Sequence, residues 1–241
     1  MRKTLLKALM LVLVAGFVAC NDDDPEPQGG GDAYIVSKAI PAGEEGGEPT
    51  VVYGLHIDGW AVYGTLSSIK VTAGTTNYTL QKNPDYAYAF FYETDEDEFT
   101  TMVPDDGTYT FAFTFATGES YSAAEALSEK KLLPAEITKA DFTSNKIELK
   151  WDEVDDAQAI YIRLTEMDGD VIFSNLVNNS GYLEGDDTDY TISQSSGSWK
   201  SGYTMTNGTS YIVEVIALLA DTSGGLQAVS TGTATVVWGV E

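Results

Sequence analysis

The sequence predicts an all-β protein arranged as two tandem β-sandwiches. Three observations carry this: period-two alternation, regularly spaced turn signals and an almost complete lack of helical periodicity. The strongest alternating runs are Tyr86–Tyr92, Tyr109–Phe115, Ile147–Trp151, Ile160–Leu164 and Tyr211–Val215. Between them lie Pro84-Asp85, Pro104-Asp105-Asp106-Gly107, Asp168-Gly169 and Asn207-Gly208, residues that supply the fixed or positive φ a turn requires. The one helical candidate, Ser122–Lys131, reads equally well as the last strand of a first module. Leu132-Leu133-Pro134 then marks a boundary, so residues 33–133 and 134–241 are each long enough for one sandwich of about 100 residues.

The N-terminus addresses the chain for export. Arg2, Lys3 and Lys7 precede an uninterrupted apolar run from Ala8 to Ala19, too short to span a bilayer, which needs about 20 apolar residues. Residues 1–19 therefore read as a cleaved signal peptide. Phe17-Val18-Ala19-Cys20 resembles the bacterial lipobox, with Phe17 standing where that pattern usually has Leu. The resemblance implies lipidation of Cys20, and acyl chains at roughly 0.8 kcal/mol per buried methylene would hold the protein on a membrane. Cys20 is also the only cysteine, so no disulfide and no Cys-based metal site is available.

Residues 20–32, with Asn21–Asp32 reading NDDDPEPQGGGD, are acidic, Pro-containing and Gly-rich, which predicts a disordered tether. Acids directly after the lipidated cysteine resemble the surface-export signal of Bacteroidetes-type lipoproteins. That resemblance implies outward display on the outer membrane, the alternative being its periplasmic face. The formal charge is −24, and removing residues 1–19 takes away three of thirteen basic residues and no acid, leaving −27. Such a surface repels phosphate backbones and argues against nucleic acid as a partner.

The second segment carries a family pattern. Pro134 opens a strand, Ile147, Leu149 and Trp151 alternate on the next, and Tyr161 and Leu164 mark a third. Met167-Asp168-Gly169-Asp170 turns into Val171–Phe173, and Asn207-Gly208-Thr209-Ser210-Tyr211 leads into Val213, Val215 and Ala217. In this order and spacing, residues 134–241 resemble a fibronectin type III domain, with Tyr211 as its tyrosine corner and Leu176–Asp189 as an insertion. The first segment has a similar rhythm, and the simplest expectation is an immunoglobulin-like sandwich. Aromatic faces Tyr86/Tyr88/Phe90/Tyr92 and Tyr109/Phe111/Phe113/Phe115 are expected to be mostly core.

Catalytic patterns are missing. His56 is the sole histidine, no G-x-S-x-G accompanies it, and no phosphate-binding Gly loop is present. The acidic clusters Glu93–Glu98 and Asp186–Asp189 do not follow the EF-hand spacing and read as solvated loops, so neither a metal nor a cofactor is expected. The expected function is a non-catalytic, lipid-anchored binding or scaffold module, with a glycan as the candidate ligand. The alternative is a structural or adhesive subunit joining other proteins at the cell surface. Trp199, Tyr203 and Gln194, in the Ser- and Gly-rich stretch 193–203, are the candidate ligand contacts, since an indole face suits the C–H face of a sugar.

Overall fold

A computed structural model describes residues 25–41, 48–84, 86–177, 180–222 and 224–239; the signal peptide, Cys20 and Asn21–Asp24 lie outside the described residues. The first half of the chain forms β1 (Gln28–Ile40), β2 (Thr50–Tyr63), β3 (Leu66–Ala73), β4 (Thr76–Thr79), β5 (Gln81–Lys82), β6 (Ala89–Glu93), β7 (Gly107–Phe115) and β8 (Ser120–Leu127). The second forms β9 (Ile137–Thr143), β10 (Lys146–Trp151), β11 (Ala159–Thr165), β12 (Val171–Ser174), β13 (Leu183–Glu184), β14 (Asp189–Ile192), β15 (Ser198–Trp199), β16 (Ser210–Ala220) and β17 (Leu226–Val237). Among the described residues no helix is long and apolar enough to cross a membrane.

The expected two sandwiches are present, and they share a sheet. One ten-stranded sheet runs β15-β12-β11-β16-β17-β1-β2-β6-β5, with β13 paired to β11. A four-stranded sheet, β4-β3-β7-β8, covers its first half, and a three-stranded sheet, β14-β10-β9, covers its second. The joint is the parallel pairing of β1 with β17, Ile35 opposite Ala228 through Lys38 opposite Thr231. Ala33, Ile35 and Ile57 from one side, and Ala217, Val215 and Ala228 from the other, belong to one buried cluster. The core is therefore continuous across Leu132-Leu133-Pro134. Leu132 is itself buried, and its carbonyl accepts a 2.6 Å hydrogen bond from Ser37 Oγ.

The second sandwich matches its sequence reading in most details. Ile147, Leu149 and Trp151 are at most 2% exposed. Tyr211 is buried and its hydroxyl accepts a hydrogen bond from Thr206 N at 3.1 Å, the tyrosine-corner arrangement. On β11 the inward residues are Ile160, Ile162 and Leu164, whereas Tyr161 faces the opposite side, its ring 6.0 Å from that of Tyr182 in the insertion. That insertion adds β13 to the large sheet through Ala159 and Ile160.

Of the two readings open for Ser122–Lys131, the structure has the strand, which forms the edge strand β8 as far as Leu127. Two expectations for the first half need correction. The Tyr86–Tyr92 stripe is a strand only from Ala89, leaving Tyr86 and Tyr88 exposed. The tether ends at Pro27, because Gln28–Asp32 belong to β1. Gly29 and Gly31 lie against Phe113 and Phe111 on the inner face, while Gly30 lies under Trp60 on the outer one. A Cβ at Gly31 would sit 2.3 Å from the Phe111 ring. The glycines are there because two aromatic layers leave no room for side chains.

The pairing also brings carboxylates together. Asp32 Oδ2 accepts from Leu226 N at 2.8 Å, which fastens the β16–β17 hairpin to β1, while Asp32 Oδ1 is buried without a hydrogen-bond partner. Burial, with Asp58 and Asp221 nearby, pushes the Asp32 carboxyl up to about 6, and burial beside Asp32 also raises Glu125. A folded-state value above the unfolded one favours the protonated form, so this contribution is complete below about pH 4 and is lost as pH rises to about 6.

Two stability measurements check these points. Gly31→Ala should lower stability by about 1–3 kcal/mol through overpacking against Phe111, read as a fall in melting temperature. Asp32→Asn keeps an acceptor for Leu226 N and removes the buried charge. It should gain about 2–3 kcal/mol at pH 7.5 and flatten the melting-temperature profile between pH 4 and 6. An unchanged profile would contradict the assignment.

Candidate ligand-binding cleft

The registers fix two poles. Gln28 opposite Tyr63 defines the N-terminal pole, and Ile40 opposite Thr50 defines the other. The facing sheet runs the same way, from Leu66 opposite Phe115 to Ala73 opposite Tyr109. At the far pole, between the two sheets of the first sandwich, opens a cleft of about 770 Å³.

Tyr78 from β4, Tyr92 from β6 and Tyr109 from β7 line it. Tyr78 and Tyr92 meet edge to face with ring centroids 5.0 Å apart, and the Tyr109 ring lies 6.1 Å from that of Tyr78. Tyr78 and Tyr92 are half-buried, whereas the Tyr109 ring belongs to the core. The Tyr109 hydroxyl donates to Asp105 O at 3.3 Å. Burial raises the Tyr78 and Tyr109 phenols above the ordinary range, so both remain neutral donors at physiological pH. Thr94 Oγ1 is engaged with Leu55 N and Leu55 O, which anchors the cleft floor to β2. Glu98, Asp105 and Asp106 supply acceptors, and no Lys or Arg occurs among the described lining residues.

The ligand contacts expected from sequence sit elsewhere, at the same pole of the second sandwich. Trp199 on β15 packs on Phe173, ring centroids 4.8 Å apart, and its Nε1 donates to Ser193 O at 3.1 Å. Tyr203 OH donates to Glu166 Oε1 at 2.8 Å. Gln194 is exposed in the preceding turn. Trp199 and Tyr203 both pack against the main core, each on its own partners, and together cap the edge of the sandwich. Gly197, at φ +58°, permits the tight return, because a Cβ there would meet Ser174 O at 2.3 Å.

His56 lies on the outer face of the large sheet, stacked between Tyr34 at 4.8 Å and Phe91 at 6.2 Å, with Nε2 3.1 Å from Asp58 Oδ2. Among the described residues no group of three or more His, Cys, Asp or Glu is arranged to hold a metal ion. Within the acidic segment 93–98, Glu96 pairs at 3.4 Å with Lys38. The tyrosines of the cleft were not identified from sequence. They come from three strands; the alternating runs contain Tyr92 and Tyr109, read there as core, and nothing in the sequence singles out Tyr78.

Comparison with known proteins yields only distant likenesses. No family profile and no curated protein matches the chain. Among solved structures, a biofilm-associated protein BSP domain is 16% identical over 77% of this chain and 28% of its own, with a TM-score of 0.25. The FN1–FN3 domains of chicken CNTN1 are 12% identical over 83% of this chain and 67% of theirs, with a TM-score of 0.29. Dimeric latent PorU from Porphyromonas gingivalis is 10% identical over 87% of this chain and 20% of its own, with a TM-score of 0.30. The chain thus spans about a quarter or less of two of these proteins. At such scores no function transfers, and the functional reading rests on the cleft.

Trp199→Ala separates packing from binding. Loss of the contacts to Phe173 and Ser193 should cost about 1–3 kcal/mol and lower the melting temperature. An unshifted melting curve would return Trp199 to the list of free ligand contacts.

Proposed function

We propose that the chain is a non-catalytic lipoprotein, held in the outer membrane through Cys20 and displayed outward, that binds a neutral glycan in the Tyr78–Tyr92–Tyr109 cleft. The supporting observation is the edge-to-face pair of Tyr78 and Tyr92 in an open cleft at the pole opposite the start of β1. A half-buried phenol presents an apolar ring to sugar C–H groups and a hydroxyl to their oxygens. Glu98, Asp105 and Asp106 accept hydrogen bonds from sugar hydroxyls, and their charge disfavours uronates and sulfated chains. The acids after Cys20 support outward display, and the lipobox-like Phe17–Cys20 supports the anchor.

A second reading, assembly with another protein, has its own observation. Beyond Thr231 the strand β17 is no longer paired with β1, and its Thr235–Val237 border a groove of about 440 Å³ shared with Ala140–Thr143 of β9. An edge of this kind accepts an added strand.

Glycan-array binding of the mature chain checks the first reading. Tyr92→Ala should weaken binding about tenfold, the equivalent of about 1.4 kcal/mol, with little change in melting temperature, and Cys20→Ala should release the protein from membranes. A blank array together with concentration-dependent self-assembly would move the function to the β17 edge.

A further inference from the structure

The N-terminal pole of the first sandwich carries a cluster of exposed apolar and aromatic side chains that the cleft does not use. Val62 is 49% exposed, Tyr63 43%, Tyr86 54% and Tyr88 56%. They are contiguous: Ala61 N donates to Tyr88 O at 2.9 Å, and the Tyr86 and Tyr88 rings lie 5.8 Å apart. Trp60 lies alongside, over Gly30. Tyr63 stands opposite Gln28, and Pro27 approaches the adjacent Gly64, its Cβ 3.3 Å from the position a Cβ would take there. The patch therefore surrounds the point where the chain enters the fold.

The length of chain before that point decides what can cover the patch. Pro25 follows Cys20 by five residues, a span of at most about 18 Å when fully extended. An acylated Cys20 would hold Tyr63, Tyr86 and Tyr88 within reach of the lipid headgroups. Tyr and Trp are the side chains suited to that layer, with an apolar body and a polar tip.

Charge selects the lipid. The same pole of the second sandwich carries Asp152, Glu153, Asp155 and Asp156 before β11, Asp186 and Asp187 after β13, and Asp221 after β16. Anionic headgroups would be repelled there, whereas zwitterionic ones would not.

We infer that Val62, Tyr63, Tyr86 and Tyr88 form a second, non-covalent membrane contact that seats the N-terminal pole on a zwitterionic lipid surface and points the cleft away from it. This rests on the anchor reading of Cys20. The acyl chains of such an anchor hold the protein to the bilayer without fixing how it is oriented, and a protein contact beside them fixes the orientation.

The test can bypass native lipidation, because Cys20 is the only thiol and couples selectively to a maleimide phospholipid. The mature chain, so coupled, is placed on phosphatidylcholine vesicles with and without bromine in the acyl chains. Tyr88→Trp puts a reporter in the patch, and Met167→Trp puts one at the opposite pole, on the exposed β11–β12 turn. Bromine should quench the added emission of Tyr88→Trp and leave that of Met167→Trp unchanged. Replacing Tyr63 and Tyr86 by Ser in the Tyr88→Trp chain should abolish the quenching without shifting the melting temperature. Equal quenching at both poles, or none at Tyr88→Trp, overturns the proposal. So does a solution dimer of Cys20→Ala that the Tyr63 and Tyr86 substitutions dissociate, since a second copy would then cover the patch. Failure to find lipid on Cys20 in cells would count against the anchor alone, as the coupled protein still reports on the patch.

Discussion

Everything else in this molecule depends on four residue pairs, Ile35–Lys38 of β1 against Ala228–Thr231 of β17. They turn two sandwiches into one slab, with a single ten-stranded sheet and a continuous core. Each strand is the edge of its own module, and pairing hides two edges that would otherwise present unpaired N–H and C=O groups. The pairing is parallel, so it needs a crossover, and the crossover here is nearly the whole chain between Ile40 and Leu226. Contacts so far apart in sequence carry a large loop-closure cost and form late.

The joint is reinforced by side chains that a free-standing sandwich would not require. A bulge between Leu219 and Ala220 leaves Gln227 out of the β16–β17 register. Its amide reaches across to β8, accepting from Ser128 N at 2.8 Å and donating to Ala126 O at 2.9 Å. Ser37 ties β1 to the inter-module linker, and Asp32 ties β1 to the start of β17 at the cost of a buried carboxylate. A linker clamped in this way is no hinge. The two sandwiches are consequently joined by a shared sheet and a clamped linker, not by a free tether.

How much of this was legible in the sequence follows from what each signal measures. Alternation in Tyr109–Phe115 found a core strand, because a half-buried strand must alternate, and all four aromatics are buried. Trp151 and Tyr211 were legible for the same reason, since each answers a local rule of the fold. The same logic failed at Gly29–Gly31. Three glycines after an acidic run usually mean a flexible linker, but here they mean aromatic rings on both faces of a strand, and those rings, Phe111, Phe113 and Trp60, are distant in sequence. It failed differently at Tyr86 and Tyr88, where the alternating pattern begins before the strand itself, which starts at Ala89. The cleft was illegible because Tyr78, Tyr92 and Tyr109 converge only after two sheets have stacked.

The early start of β1 also changes what the N-terminal segment can do. As a tether ending at Asp32 it would be a longer spacer; ending at Pro27, it is about five residues shorter and loses its three glycines, the most flexible part. A flexible spacer lets a module explore many orientations, so the polarity of its strands would hardly matter. With the spacer short and the two modules joined in one sheet, the proposed anchor would make strand direction set which end faces outward. β1 leaves the N-terminal pole and runs the full height of the first sandwich, so on the proposed anchor the opposite end would be the one turned to the medium. The tyrosine cleft is at that end, and so is the Trp199–Tyr203 cap of the second sandwich. Parallel pairing is what aligns them: because β17 runs in the same direction as β1, both modules face the same way, and an antiparallel joint would have turned the loops of the second sandwich toward the N-terminal pole.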